Sequence, residues 1–233
     1  MRNIGSELEV IVLNSDDAIH AQEFGADRLE LIKEFDKGGL TPTFETIKNV
    51  TTKVKIPVFV MLRNLWDSYV YDKEEFKILL QQLEVIKLTK ATGIVFGSLN
   101  LDGTINEEQL AIIIATKGKL QLTFHRAIDS VVDYEQGIKT LSQFREIDYV
   151  LTSGHAEKAI DGMSNLTLAS KILKEKIIVG SGVNDKNCSK FLQIENIKKL
   201  HSGTAVRINQ DIFNELNGEE IKIIKKSISK KEC

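Results

Sequence analysis

Short apolar runs rich in β-branched residues recur eight times along this chain, and stretches with helical spacing lie between them. The runs are LEVIV (8–12), RLEL (28–31), PVFVML (57–62), GIVFG (93–97), LQLTF (120–124), DYVLTS (148–153), KIIVGSG (176–182) and KKLHSG (198–203). Runs of this length, bounded by turn residues, read as strands. In DKEEFKILLQQLEVIKLTKA (72–91), Phe76, Leu79, Leu80, Leu83, Ile86 and Leu88 recur near the helical period, and Asp72 with Glu75 has the capping-box pattern. Similar spacing predicts helices over Asp16–Glu23, Phe44–Thr51, Asn106–Thr116, Tyr134–Gln143, Asn165–Lys174, Asp185–Gln193 and Glu219–Ser227. Strands and helices alternating at such short separation call for parallel strands joined by right-handed crossovers. Eight units predict an α/β fold, a (β/α)8 TIM-type barrel in a single domain over 1–233 with a short basic tail from about 228. A doubly wound sheet is the runner-up, and VIVLNSDDA, with no G-x-G-x-x-G after the first strand, counts against it.

Composition narrows the partners. The 233 residues are 42% apolar, enough for a sizeable core, and 31 basic against 33 acidic residues give a net charge of -2. That balance leaves no electrostatic footprint for nucleic acid or an anionic membrane and favours a small molecule or a metal ion as partner. A homo-oligomer is compatible with it. Cys188 and Cys233 have no paired spacing, and MRNIGSELEV lacks the apolar core of a signal peptide, so a cytoplasmic location is expected. No apolar run approaches the roughly 20 residues of a membrane-spanning helix.

Side chains on a strand alternate between faces, so one parity in a barrel faces the helices and the other the axis. Leu8, Val10 and Val12 oppose Glu9 and Ile11; Leu29 and Leu31 oppose Arg28 and Glu30. Val58, Val60 and Leu62 oppose Phe59, Met61 and Arg63; Leu120, Leu122 and Phe124 oppose Gln121, Thr123 and His125; His201 opposes Leu200 and Ser202. Glu9, Glu30, Arg63, His125 and His201 are therefore predicted to converge on one axial region, paired with one another or with a ligand, because isolated buried charges are costly. Taken singly, His125 and His201 read equally well as satisfied core histidines, and Glu9 with Arg63 as an ion pair fixing strand order. As a set they point to a polar mouth at the carboxyl ends of the strands, where barrels keep their reactive groups and where Arg63, His125, Arg126, Asp129 and His201 fall, with Glu9 and Glu30 somewhat deeper. Glu9, Glu30 and His125 are the candidate acid–base residues, with Arg63, Arg126, Asp129 and His201 as candidate substrate contacts. Arg126 and Asp129, three residues apart, also read as a strand-end clip. TSG (152–154) and GSGVND (180–185) end the sixth and seventh strands, adding Ser153, Gly180, Ser181 and Gly182 as an anion-binding candidate, with tight turning capped by Asn184 as the bland reading. DKGGLTPTF (36–44), with Pro42 suited to a helix start, is expected to rim the mouth.

GADRLEL, GGLTP, IPVFVMLR, GIVFGSLN, TFHRAID, VLTSG and GSGVN occur in the order and spacing of the CutC family of copper homeostasis proteins, and the resemblance runs from Leu8 to His201. It implies a (β/α)8 barrel, a cytoplasmic location and a role in copper handling, with copper as the implied ion and no metal ligands identified from the residues. By resemblance, Glu9, Glu30, Arg63, His125, Arg126, Asp129 and His201 stand at the family's polar positions. The chain also departs from the family: where many members carry cysteines on the first and second strands, it has Ile11 and Ile32. Neither Cys188 nor Cys233 is placed to restore a thiolate pair and Met61 and Met163 offer no obvious site; two histidines with two glutamates could bind Cu(II) or Zn(II), but Arg63 and Arg126 in the same mouth suit an anion better than a cation. Two functions of different class follow: copper binding or handling, and a barrel enzyme of unassigned reaction acting on a small phosphate- or carboxylate-bearing metabolite, with no copper of its own. No nucleophile motif or cofactor fingerprint identifies a reaction.

Overall fold

A computed structural model describes residues 5–229, and Cys233 with the rest of 230–233 lies outside them. Eight parallel strands close into a barrel in sequence order: β1 (Glu7–Val12), β2 (Arg28–Leu31), β3 (Val58–Met61), β4 (Gly93–Phe96), β5 (Gln121–Phe124), β6 (Tyr149–Thr152), β7 (Ile177–Val179) and β8 (Lys199–Ser202). The helices between them are α1 (Ser15–Glu23), α2 (Phe44–Lys53), α3 (Lys73–Lys87), α4 (Glu107–Thr116), α5 (Tyr134–Gln143), α6 (Met163–Leu173), α7 (Cys188–Phe191) and α8 (Gly218–Ser229). Among the described residues no helix is long and apolar enough to cross a membrane.

Local signals account for most boundaries. Asp72 caps α3, its carboxylate accepting the Glu74 and Glu75 N–H groups at 2.9 Å while the Glu75 carboxylate accepts the Asp72 N–H at 2.8 Å. Thr43, not Pro42, is the cap of α2. Three boundaries differ from the sequence expectation. The helix expected over Asp185–Gln193 shrinks to α7, because the Asn184 side chain accepts the Lys186 N–H and the Asn187 side chain accepts the Asn184 N–H, closing a turn before the helix starts. Asn187, rather than Asn184, therefore precedes the first helical turn. Helix α6 begins at Met163, directly continuing a 3-10 turn over Ala159–Gly162. The carboxyl-terminal helix runs to Ser229, past the point where a tail was expected.

Two apolar regions divide the interior. The strand residues Leu8, Val10, Leu29, Leu31, Val58, Val60, Leu122 and Phe124 pack against helix residues such as Leu79, Leu83, Ile113 and Ile138 in the large outer core. Inside the barrel a small cluster of Ile11, Ile32, Phe59, Met61 and Val95 fills the axis between the polar groups. Burial of the outer core is the main stabilising term, since apolar area removed from water is the dominant favourable contribution to folding.

Packing at the axis is tight at Gly93, where an added Cβ would lie 2.5 Å from Phe59 Cε1 and 2.7 Å from the Gln121 carbonyl oxygen. Gly93→Ala is expected to destabilise by about 1–3 kcal/mol, the usual cost of overpacking a closed core. Urea unfolding with an unchanged m-value measures it; a change within about 0.5 kcal/mol would contradict this packing.

Candidate functional site

Register decides which inner-parity residues meet. Glu9 on β1 is opposite Arg28 on β2 and His201 on β8, while Glu30 on β2 is opposite Ile11, one inward residue further along β1. Glu9 therefore lies between two basic side chains, accepting the Arg28 Nε–H at 2.5 Å and bonding His201 Nδ1 at 2.7 Å. The other imidazole nitrogen, Nε2, lies 3.9 Å from Glu30 Oε2, and Glu30 Oε1 has no partner. The Arg28 guanidinium is held from the other side by aromatic faces, 3.5 Å from the Phe59 ring centroid and 4.5 Å from that of Tyr149. Cation–π contacts of this kind are strongest when desolvated, and Arg28 is buried.

The row Arg28–Glu9–His201–Glu30 separates the carboxyl groups in pKa. Burial alone would raise Glu9, yet the Arg28 charge and the bonds from His201 and Arg28 overcome it and hold the carboxyl at about 2. Burial pushes Glu30 up to about 7; the Glu9 charge adds to this, while His201 and Arg28 oppose it. Burial disfavours the His201 cation, but Glu30 and Glu9 outweigh that and raise its pKa. Two carboxyl groups driven apart by their surroundings are the usual signature of an acid–base assignment.

Across the mouth the charge balance reverses. Arg63, just beyond β3, donates from Nη1 to the carbonyls of Lys37, Gly38 and Gly39 at 3.3–3.4 Å and from Nη2 to that of Trp66 at 2.7 Å. Those carbonyls converge because Gly38 and Gly39 adopt φ of 73° and 90°, a left-handed region open to glycine. Arg63 forms no salt bridge among the described residues, its Nε has no partner, and its guanidinium lies 4.7 Å from the Tyr69 ring centroid. His125, at the end of β5, accepts the Ala127 N–H at Nδ1, which places its proton on Nε2, an atom with no partner. Burial and then the Arg63 charge lower its pKa to about 3, so the ring is neutral.

A cavity of about 290 Å³ lies between these halves, and its lining includes Ile11, Glu30, Met61, Arg63, Tyr69, His125, Arg126, Ser181, Gly182, His201 and Thr204. Of the residues singled out in the sequence, Glu30, Arg63, His125, Arg126, Ser181, Gly182 and His201 meet there. Glu9 does not line the cavity; it lies beneath and fixes His201. Asp129 and Ser153 sit behind the wall: Asp129 accepts the Arg126 Nε–H, the Thr152 O–H and the N–H groups of Ser153 and His155, forming the strand-end clip. Gly180 also lies outside the lining and gives room instead, since a Cβ there would come within 2.7 Å of Leu151 and 3.3 Å of His201. Sequence reasoning missed Arg28 as the partner of Glu9, although its inner parity was visible, and missed Tyr69 and Thr204, which lie on loops where no periodicity marks them.

The donors do not fit a thiolate copper site. Soft Cu(I) selects thiolate and thioether ligands. Ile11 and Ile32 are buried hydrocarbon, and Cys188 belongs to the outer core behind β7, where burial raises its thiol pKa. Among the described residues, Glu9, Glu30 and His201 form the one group of three acidic, histidine or cysteine side chains whose ligand atoms lie within 4.8 Å of one another. There Arg28 and the His201 proton already occupy Glu9.

Two measurements test this arrangement. Arg28→Met leaves Glu9 a buried anion short of a partner and should cost about 3–5 kcal/mol in urea unfolding, most of it recovered by adding Glu9→Gln. A loss below about 1 kcal/mol would contradict the pairing. Glu30 holds its proton in the folded state up to about pH 7, whereas an unfolded glutamate releases it near about 4.3. Folded protein thus binds more protons in that window, and the Glu30 contribution to stability falls as pH rises through it. Glu30→Gln should remove that slope, and the Glu30 carboxyl ¹³C resonance should titrate near neutrality while that of Glu9 stays ionised down to about pH 3.

The family model described as the CutC family matches residues 6–206. The human copper homeostasis protein cutC homolog is 34% identical over 199 residues, covering 84% of this chain and 72% of its own length. A family protein CutC from Aliivibrio fischeri is 32% identical over 206 residues, covering 86% and 83%. A solved structure of a CutC copper homeostasis protein from Streptococcus agalactiae superposes with a TM-score of 0.79 at 24% identity, covering 85% of this chain and 98% of that one, which supports the barrel. A match over most of the length, together with relatives above 30% identity, settles the family: this chain belongs to the CutC family.

Proposed function

We propose that this chain has the role in copper homeostasis for which its curated relatives are named, and that the ligand of its mouth is a small organic anion rather than a thiolate-held cuprous ion. The family supports the first part. The observation that carries the second is Arg63, a buried guanidinium with no salt bridge among the described residues, facing a cavity it shares with a neutral His125 and with Arg126. Guanidinium groups stay charged and match carboxylate and phosphate oxygens, so an anion is the partner that balances this wall. A buried free Cys188 supports a reducing, cytoplasmic setting.

A second reading, an enzyme acting on that anion with no copper of its own, is favoured by Glu30. Its carboxyl, held near neutrality at the floor of the cavity, suits it to take or give a proton, with His201 as the neighbour that shares the proton and Glu9 holding His201 in place. His125 Nε2–H would donate to a carbonyl or hydroxyl oxygen of the ligand, and Arg63 with Arg126 would orient its charged end.

A thermal-shift comparison with small carboxylates, phosphates, Cu(I), Cu(II) and Zn(II) tests the proposal. At roughly 100-fold excess over Kd a ligand adds about 2.7 kcal/mol, a shift of several degrees in a chain of this size. Anions should stabilise the wild type and lose most of that effect in Arg63→Lys and in Arg126→Gln, whose side chain is 37% exposed and less needed for folding. Stabilisation by metals alone, unchanged in both variants, would refute the anion reading and place copper on the nitrogen and oxygen donors of the floor.

A further inference from the structure

The loops after β7 and β8 bring Gly182, Val183, Gly203, Thr204 and Ala205 to one wall of the mouth. The backbone N–H groups of these five residues, and that of Ser181 beside them, have no acceptor among the described residues, whereas those of Gly180, Asn184, Val206 and Arg207 are paired. Gly182 and Thr204 are exposed and only Val183 is buried, so these donors are open to water and equally to a ligand that offers acceptor oxygens. Arg126 borders the same space with Nη1 uncommitted. The floor independently points to a ligand: His125 Nε2 and Glu30 Oε1, in residues 4% and 3% exposed, are both without partners.

We propose that the mouth takes a small phosphomonoester, its phosphate against the amides of the β7 and β8 loops and its hydroxyl or carbonyl end against His125 and Glu30. This rests on the anion reading and names the class of anion. A phosphate offers three terminal oxygens to the amides and Arg126, more acceptors than a carboxylate can present to the same donors. The opposite end must be polar, because a hydrocarbon there would leave the His125 donor and the Glu30 acceptor buried and unpaired. A cavity of about 290 Å³ has room for a phosphate carrying a short polar body.

Amide NMR of the isotope-labelled chain, titrated separately with glycerol 3-phosphate, inorganic phosphate, glycerol and acetate, tests the assignment. Glycerol 3-phosphate should saturate with the largest shifts at the five amides, and bind at least about tenfold more tightly than inorganic phosphate, equivalent to about 1.4 kcal/mol. Thr204→Glu, a carboxylate introduced at an exposed position of that wall, should weaken binding by at least about tenfold. Leu101→Glu, the same charge change at a residue 94% exposed on the β4 loop, should alter it less than about twofold. Shifts scattered over surface lysines, or equal weakening by the two variants, would overturn the phosphate site. Equal affinity for phosphate and its glycerol ester would overturn the polar end. Acetate shifting the mouth where phosphate does not would remove the phosphomonoester and leave the anion reading standing, whereas no response to any anion would remove both.

Discussion

Glu9 accepts from Arg28 on one neighbouring strand and bonds His201 on the other, and this bridge spans the seam where the barrel closes. The first and last strands meet there, so the electrostatics of the mouth exist only once the whole chain has wound round. Burial leaves Glu30 as the carboxyl that holds its proton toward neutrality, with the Glu9 charge adding to it, while Glu30 and then Glu9 raise the pKa of His201. Without Arg28 the row would end in an uncompensated anion in a dry interior, the situation that makes broken buried pairs so costly.

The two sides of the mouth carry opposite chemistry. Glu30, which titrates near neutrality, and His201 lie 3.9 Å apart on the β8–β1–β2 side, while Arg63 and a neutral His125 present positive charge and an N–H donor on the β3–β5 side. This asymmetry is suited to a molecule with a charged end and a polar body, and ill suited to a bare cation, which would face the guanidinium groups. Within a family several of whose members are named for copper homeostasis, the chain thus combines a (β/α)8 barrel with hydrocarbon at Ile11 and Ile32.

Much of this was legible in the residues because strand alternation is strict. Once the first strand is aligned on Leu8, Val10 and Val12, Glu9 must face the axis, and the same holds for Glu30, His125 and His201. Parity gives direction but not height. The stagger that sets Glu9 beside His201 and lifts Glu30 beside Ile11 belongs to the closed barrel, and no local pattern announces it. This is why Glu9 reads from parity as one of the mouth residues, only somewhat deeper, although it lies beneath the cavity lining, and why nothing marks Arg28 as its partner. The loops were less legible still. Tyr69 and Thr204 reach the cavity through irregular backbone, and the side chains of Asn184 and Asn187 shorten α7 by offering the backbone a turn in place of a helix.

The stack of Phe59, Arg28 and Tyr149 has a consequence for traffic. Those three residues border a separate depression at the amino-terminal end of the barrel, and no residue lines both that depression and the mouth. Among the described residues the axis is therefore stoppered between the two, and the mouth is a well closed at its floor. Whatever enters must leave by the way it came, so a second molecule cannot displace the first from behind, and occupancy of the well is governed by how long each guest stays.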